Sequence, residues 1–278
     1  MGSLARRLIT ASIAIPIVLA IVFYAPGDLA YGVFLGVFFM AAVEILPMAR
    51  SVAPSAPVRS LLALIPLASL AAFWLVRGST PIAAWWLLSA ASLVVVAAAC
   101  LTLLSGTEVK DGMASMGILA FAIPYFALPP VGIYWLQITD PWLLIAFLGI
   151  IWLGDTGAFV VGSLVGRHKL APRFSPGKSW EGAIGGFAAA LLVTVLWCLL
   201  RLGEIHWGLL VIATLTAVVA QLGDLVESVI KRGAGVKDSS RLLPGHGGFF
   251  DRMDSMLLAT PIFVAGIQLL GPERLIPS

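Results

Sequence analysis

The residues best suited to chemistry in this chain of 278 amino acids are the acidic and basic side chains of segment 221–255. Four polar residues recur there at spacings of three and four, which places them on one face of a helix: Gln221, Asp224, Ser228 and Lys231. Asp224 and the neighbouring Glu227 fall near the C-terminal end of that helix, where the macrodipole disfavours negative charge unless a cation is bound. Asp251 and Asp254 lie one turn apart at the start of the next apolar stretch, where helix capping is the simpler explanation. Carboxylates from two helix ends among basic side chains indicate Mg²⁺ that holds a polyphosphate, and a purely structural salt-bridge network is the alternative.

The loop between these two predicted helices is suited to binding an anion. Its glycines at 233, 235, 245, 247 and 248 allow backbone N–H groups to turn towards a phosphate without obstruction from side chains. Lys237, Arg241 and Arg252 add fixed positive charge, and His246 adds an imidazole donor. The loop therefore predicts a phosphate-binding segment next to the carboxylates.

A second polar stretch, 154–182, has a similar character. Asp155 stands inside an apolar run, and a basic loop follows it with these residues: Arg167, His168, Lys169, Arg173 and Lys178. Such a loop could hold anionic lipid headgroups, at about 1 kcal/mol per basic residue. Gly177-Lys178-Ser179 resembles the end of a P-loop, but Pro172 stands where that motif needs glycine. Because no strand is predicted before it either, we exclude the motif.

The elements that position these side chains are predicted to lie in a membrane. Hydrophobic residues make up 60% of the chain, charged residues only 11%, and the mean hydropathy is +1.03. Soluble domains are about 25% charged. The composition excludes a soluble enzyme, a disordered chain and a secreted disulfide scaffold, and nothing in the chain predicts a nucleic-acid partner. It predicts an all-α polytopic membrane protein.

Nine apolar stretches are close to the roughly 20 residues that a helix needs to cross a bilayer: 8–25, 29–48, 60–76, 81–104, 113–135, 141–166, 182–200, 208–230 and 255–271. With the N-terminus in the cytoplasm, nine crossings leave only Arg77, Arg201 and Arg274 outside, and the other 14 of the 17 basic residues inside. This bias follows the positive-inside rule. We therefore predict nine transmembrane helices and a cytoplasmic N-terminus. The first stretch is interpreted as a retained anchor, because no clear signal-peptide cleavage site follows it.

The polar residues are distributed unevenly between the two halves of the chain. Residues 1–140 are predicted to be N-terminal apolar transmembrane helices, and residues 141–278 a catalytic transmembrane region that carries both polar loops. Three glycine pairs have the small-xxx-small spacing that lets helices approach closely, and we interpret them as packing sites: Gly32/Gly36, Gly162/Gly166 and Gly182/Gly186.

One run in the second half resembles the signature of the phosphatidate cytidylyltransferases, the CDP-diacylglycerol synthases. It covers 228–254 and comprises these residues: Ser228, Lys231, Arg232, Lys237, Asp238, Pro244, His246, Gly247, Gly248, Asp251, Arg252 and Asp254. The stretch 155–182 is similar to the other well-marked region of that family, with Ser179 where threonine is common. The first half matches only in its general character of apolar helices.

The resemblance implies a reaction in which phosphatidate and CTP give CDP-diacylglycerol and pyrophosphate at the cytoplasmic face of a membrane. It implies Mg²⁺ held by Asp224 and Asp251, with a second, monovalent cation left open, and a fold that is often a homodimer. Catalytic roles are expected of Asp224, Asp251, Lys231 and Arg252. Substrate binding is expected of Lys178, Ser179, Ser228, Arg232, Lys237, Asp238, His246 and Asp254.

Two other functions stay open from the sequence. The first is a CTP-dependent enzyme that acts on another lipid acceptor, such as an ether lipid or a polyprenol. The second is a transporter of an anionic solute, although transporters are typically built from inverted repeats around a site in mid-membrane, and no repeat is visible here. Glu44, inside the second apolar stretch, could be a helix-packing partner or could reach the site. Neither Glu44 nor Asp155 is assigned a role.

Overall fold

The computed structural model describes residues 3–77, 84–240, 242 and 247–276 of the chain. The architecture is 82% helical. The α-helices among the described residues are α1 (Ser3–Tyr24), α2 (Gly27–Val52), α3 (Leu61–Arg77), α4 (Ala84–Leu104), α5 (Val109–Thr139), α6 (Pro141–Val165), α7 (Trp180–Arg201), α8 (Trp207–Gly233) and α9 (Phe250–Leu270). Each predicted apolar stretch overlaps one of them, so the predicted all-α class is confirmed. His246 lies outside the described residues.

Seven of the described helices are long and apolar enough to cross a membrane, judged by length and composition. These are α2, α3 with the short 3₁₀ turn before it, and α5 to α9, whereas α1 and α4 contain the shorter apolar stretches Ala14–Tyr24 and Ser92–Leu104. Large apolar side chains point outward from these helices: Leu164 is 77% exposed and Leu200 is 83% exposed. Outward leucines of this kind are suited to contact with lipid, and the chain is an integral membrane protein. The count of nine crossings and their direction stay predictions.

The chain folds into two compact units, each assembled from separated segments. The first unit contains the described residues of Met1–Ile15, Asp28–Val131 and Ile230–Met253, and the second those of Pro16–Gly27, Gly132–Val229 and Asp254–Ser278. The predicted division into residues 1–140 and 141–278 separates apolar helices from a catalytic region, whereas these units are defined by how compactly the chain folds. The functional division stays a prediction.

Polar contacts between helices stabilise the first unit. Tyr31 on α2 shares a hydrogen bond of 3.0 Å with Ser69 on α3, and its ring stacks on Phe73 at 4.2 Å between centroids. Asp28, at the start of α2, and Arg77, at the end of α3, form an ion pair of 2.7 Å. Asp111, at the start of α5, accepts hydrogen bonds from the backbone N–H and the hydroxyl of Ser55.

Close helix packing through glycine characterises the second unit. A Cβ added at Gly182 would lie 2.8 Å from the carbonyl oxygen of Ala158, and one at Gly186 would lie 2.7 Å from that of Gly154. Because neither contact leaves room for a side chain, α6 and α7 can approach this closely only with glycine at these positions. The packing interpretation of Gly182/Gly186 is therefore confirmed.

The other two predicted glycine pairs behave differently from each other. A Cβ at Gly162 would lie 3.4 Å from the Cα of Gly182, and one at Gly166 would lie 2.6 Å from the hydroxyl of Ser179, so this pair also packs closely. Among the residues that the structure describes, a Cβ at Gly32 or Gly36 would meet nothing within 4 Å. For Gly32/Gly36 the packing interpretation is wrong among the described residues, because spacing alone does not reveal which face of α2 meets a neighbour.

A small β-hairpin occupies the loop between α6 and α7. Strands β1 (Lys169–Ala171) and β2 (Ser175–Ser179) pair antiparallel, with Lys169 opposite Ser179. The Ser179 side chain then accepts a hydrogen bond of 3.1 Å from the N–H of Gly182 and caps α7. The sequence predicts no strand before Gly177-Lys178-Ser179, and this prediction is wrong because β1 lies there. The P-loop motif is still excluded, because Pro172 occupies the position that needs glycine.

Candidate functional site

Three carboxylates lie close together in the second unit and are called here the carboxylate cluster: Asp224, Glu227 and Asp254. One oxygen from each lies within 4.8 Å of the others. Asp224 and Glu227 are one turn apart on α8, and Asp254 comes from α9. Gly223 permits this approach, because a Cβ there would lie 2.6 Å from the carbonyl oxygen of Asp254. The absence of a side chain at Gly223 thus brings the acidic parts of two helices together.

Lys178 joins the carboxylate cluster from the hairpin. Its Nζ lies 2.7 Å from Oδ2 of Asp224 and 3.5 Å from the carbonyl oxygen of Gln221. The amide of Gln221 in turn donates to the carbonyl oxygen of Ala183 on α7 at 3.0 Å. The side chains of Lys178 and Asp224 are 23% and 33% exposed, so a ligand in solution could reach this pair. Two residues that the sequence assigns to the site, Lys178 and Asp224, are therefore in direct contact.

Asp155 lies beside the same part of α9. The hydroxyl of Ser255 donates to Oδ2 of Asp155 at 3.4 Å, and the N–H of Ser255 donates to Oδ1 of Asp254 at 2.8 Å. A chain of contacts therefore runs from α6 through Ser255 to Asp254. The sequence left Asp155 without a role, and the structure places it at the edge of the carboxylate cluster.

Asp251 occupies a different polar site, in the first unit. Its Oδ1 lies 2.7 Å from Nζ of Lys231, and these side chains are only 7% and 12% exposed. Its Oδ2 accepts three hydrogen bonds, from the N–H of Ser239 at 3.0 Å, the hydroxyl of Ser239 at 2.9 Å and the N–H of Gly248 at 2.8 Å. Hydrogen bonds to a charged acceptor are among the stronger ones in proteins. Asp251 is thus held in a fixed orientation.

Glu44, a buried carboxylate of α2, lies beside Asp251. Its Oε2 accepts from the hydroxyl of Ser239 at 2.7 Å and the N–H of Phe250 at 2.9 Å. Its Oε1 accepts from the hydroxyl of Ser240 at 2.6 Å and the N–H of Phe249 at 3.0 Å. The sequence leaves open whether Glu44 is a helix-packing partner or reaches the site. It does part of each, because it connects α2 to the loop and the start of α9 by hydrogen bonds and lies next to Asp251, a predicted site residue.

Electrostatics favour a bound cation at the carboxylate cluster. Two unit charges 4.8 Å apart repel by about 3 kcal/mol at an effective dielectric constant of about 20. Lys178 offsets part of the negative charge. Carboxylate oxygens are hard donors, and Mg²⁺ is bound in proteins by one or two carboxylates together with phosphate oxygens and water. The residues present therefore fit a divalent metal with a phosphate ligand.

The remaining predicted residues with a described position lie on α8, in the loop after it and at the start of α9. Ser228 is buried on α8, and the Arg232 side chain donates to the carbonyl oxygen of Val236 at 3.0 Å. Exposed side chains that a polyphosphate could reach are those of Arg232, Lys237, Asp238 and Arg252. The sequence predicts one ion shared by Asp224 and Asp251, and this stays a prediction. The acidic side chains that form a group with Asp224 among the described residues are Glu227 and Asp254.

Two residues of these sites are not among the predicted site residues. Glu227 carries a signal in the sequence, because it is a second carboxylate in an apolar helix, three residues after Asp224, and the structure buries it to 2% exposure. Ser239 gave no signal, because a serine in a polar loop is common and only the folded loop brings its hydroxyl to two carboxylates.

Comparison with known proteins identifies the family. The family model described as the cytidylyltransferase family matches residues 5–270. A phosphatidate cytidylyltransferase of Staphylococcus saprophyticus is 42% identical over 165 residues, which cover 58% of this chain and 63% of that protein. One of Brucella suis is 43% identical over 136 residues, 49% of this chain and 50% of that protein. One of Haemophilus influenzae is 43% identical over 133 residues, 44% of this chain and 43% of that protein.

The chain thus spans less than two thirds of the length of the curated relatives that it matches. The family model, in contrast, covers nearly all of it and includes both polar sites. The family resemblance predicted from segments 155–182 and 228–254 is confirmed: this chain belongs to the cytidylyltransferase family.

Proposed function

We propose that the chain is a phosphatidate cytidylyltransferase, which transfers CMP from CTP to phosphatidate and releases pyrophosphate. The observation that carries the proposal is the carboxylate cluster in contact with Lys178, in a chain of this family. Relatives that bear this name are 42% and 43% identical to the chain over the matched segments. The other lipid acceptors and the anionic-solute transporter are not favoured by these comparisons.

The reaction joins two strongly anionic substrates. An oxygen of the phosphatidate phosphate forms a bond to the α-phosphorus of CTP, while the bond from that phosphorus to the bridging oxygen breaks and pyrophosphate leaves with the electron pair. A phosphate monoester is largely dianionic near pH 7, since its second pKa is about 6 by analogy with phosphorylated side chains. It is therefore a competent nucleophile, and the mechanism does not require a general base.

The task of the protein is to bring these anions together and orient them. Lys178 and the exposed Arg252 are suited to holding phosphate oxygens, because preorganised cations stabilise charge that develops on the departing group. Lys231 would do the same from its place beside Asp251. Lys237, Arg232 and His246 stay predicted contacts of the nucleotide and lipid phosphates, together with Ser179, Ser228 and Asp238.

The metal of the proposed enzyme is Mg²⁺. Asp224, Glu227 and Asp254 would hold it through the carboxylate cluster, and the predicted participation of Asp251 is tested below. When bound, it would offset the repulsion between substrates and the charge of the leaving group. A second, monovalent cation and a homodimer remain parts of the prediction.

The proposed site faces the cytoplasm. Both polar loops belong to the side on which the predicted topology places 14 of the 17 basic residues, as the positive-inside rule expects of a cytoplasmic face. A site at this interface would admit CTP from the aqueous phase and a phosphatidate headgroup from the adjacent leaflet.

The purified chain with radiolabelled CTP, tested on a panel of lipids with and without Mg²⁺, checks this function. We expect label in CDP-diacylglycerol with phosphatidate, release of pyrophosphate, and loss of both when Mg²⁺ is chelated. Label that enters only a polyprenol phosphate would contradict the proposed acceptor. Solute flux into sealed vesicles without consumption of CTP would contradict the proposed reaction.

A further inference from the structure

Glu44 makes contacts that simple helix packing does not require. It is only 5% exposed, yet its two oxygens accept four hydrogen bonds, two from serine hydroxyls and two from backbone N–H groups. All four donors lie in the loop before α9 or at the start of that helix. A carboxylate of α2 therefore holds a segment about 200 residues later in the chain.

Two routes lead from Glu44 to Asp251. The first passes through the hydroxyl of Ser239, which lies 2.7 Å from Glu44 Oε2 and 2.9 Å from Asp251 Oδ2. The second passes through the backbone, because the N–H groups of Phe249 and Phe250 donate to Glu44 at the point where α9 begins. The first N–H groups of a helix have no partner within it and favour a negative charge. Glu44 therefore caps, from another helix, the turn that carries Asp251.

The surroundings leave little freedom for this arrangement. A Cβ added at Gly248 would collide with both the Ser239 hydroxyl and the Glu44 carboxylate, and one at Gly247 would lie 2.5 Å from Oδ2 of Asp251. Gly247 also has φ +79°, a conformation that favours glycine. The backbone at Gly247 and Gly248 is therefore packed so closely against the carboxylates of Asp251 and Glu44 that no side chain fits there.

We propose that Glu44 is a positioning residue for the cytidylyl transfer, which fixes Asp251 and its partner Lys231 through Ser239 and through the N-terminus of α9. The inference rests on the proposed function, in which Asp251 and Lys231 take part in the reaction. Partners that orient a site residue in this way are typically worth 10- to 100-fold in activity or metal affinity.

Adjacent serines supply a matched pair of variants. The hydroxyls of Ser239 and Ser240 both lie within hydrogen-bond distance of Glu44, but of these two only Ser239 also lies within reach of Asp251, so its single proton is shared between the two carboxylates. We expect Ser239→Ala and Glu44→Gln each to lower kcat about 10- to 100-fold, with the KM for CTP changed less than about threefold. Ser240→Ala should keep kcat within about threefold of the wild type. The double variant Glu44→Gln/Ser239→Ala should be little worse than either single variant, because both break the same route.

A second buried carboxylate of the first unit serves as the control for folding. Asp111 is 7% exposed and accepts two hydrogen bonds from Ser55, far from the predicted site in sequence. Asp111→Asn should lower thermal stability in detergent, as Glu44→Gln does, and leave kcat per folded molecule unchanged. Equal kcat values for Glu44→Gln and Asp111→Asn would show that Glu44 is merely structural and would overturn the proposal.

Amide hydrogen exchange gives a readout that does not depend on activity. In the wild type, the amides of Phe249 and Phe250 donate to Glu44, and the amide of Ser239 donates to Asp251. Glu44→Gln should speed exchange at all three about tenfold or more, and unchanged exchange would contradict the positioning role. A wild type without cytidylyltransferase activity would instead refute the proposed function, and the exchange data would still decide how Glu44 acts.

Discussion

At the scale of single residues, the acidic side chains divide into two groups by their hydrogen-bond partners. Asp251 and Glu44 accept many short hydrogen bonds from nearby protein groups, and these bonds fix the orientation of each carboxylate. Asp224, Glu227 and Asp254 are distinguished by their closeness to each other. Closeness of like charges is unfavourable unless a cation is present. Metal binding is therefore expected to depend mainly on the carboxylate cluster.

Neutral variants of these side chains test which of them hold Mg²⁺. Glu227→Gln and Asp254→Asn keep the shape of each side chain and remove its charge, so each should raise the Mg²⁺ concentration for half-maximal activity at least tenfold. Asp224→Asn should abolish turnover, because Asp224 also contacts Lys178. The measurement is a Mg²⁺ activation curve for each purified variant.

Asp251→Asn distinguishes the two possible sets of Mg²⁺ ligands, which are Asp224 with Asp251 or the carboxylate cluster without Asp251. If Asp224 and Asp251 share the ion, this variant should shift the Mg²⁺ curve as far as Asp224→Asn does. If Asp251 instead orients Lys231, the variant should lower kcat and leave the Mg²⁺ curve in place. Glu204→Gln, which alters an exposed carboxylate of another loop, is the control and should change neither quantity.

At the scale of helices and strands, glycines and the short hairpin determine where the charged side chains meet. Gly223 brings α8 and α9 together at the carboxylate cluster, and β2 carries Lys178 to Asp224.

Continuous apolar runs predicted the helices to within a few residues, because burial in lipid requires about the same length of apolar chain at each crossing. The rotation of α8 relative to α9 was not predictable, since it depends on contacts between helices rather than on the pattern within either.

Gly223→Ala tests this role of close helix packing. A Cβ would lie 2.6 Å from the carbonyl oxygen of Asp254 and 3.3 Å from the Cα of Ser255, so α9 must shift. We expect activity to fall at least tenfold and the melting temperature in detergent to fall as well. Gly36→Ala, in the interior of α2, is the control, because a Cβ there meets nothing within 4 Å among the described residues. It should retain activity and gain up to about 1 kcal/mol from better helix propensity.

At the scale of the whole molecule, ion pairs connect helix ends that the topology prediction places on one side of the membrane. Asp28 pairs with Arg77 in the first unit, and Asp140 pairs with Arg201 in the second, at 2.7 and 3.1 Å. The predicted nine crossings leave Arg77 and Arg201 outside, and they place Asp28 and Asp140 outside as well, in the links after the first and fifth apolar stretches. The polar contacts are thus consistent with the predicted alternation of helices, although they do not reveal which side is the cytoplasm.

Thiol labelling of whole cells determines that direction. With Cys100 and Cys198 replaced by alanine, Glu204→Cys and Lys237→Cys introduce single thiols at exposed positions of two loops. The predicted topology places Glu204 outside and Lys237 in the cytoplasm. A membrane-impermeant maleimide should therefore label the Glu204→Cys variant in intact cells, and the Lys237→Cys variant only after the membrane is opened. The reverse pattern would place the carboxylate cluster and both basic loops away from cytoplasmic CTP, and the proposed reaction could not then draw on that nucleotide.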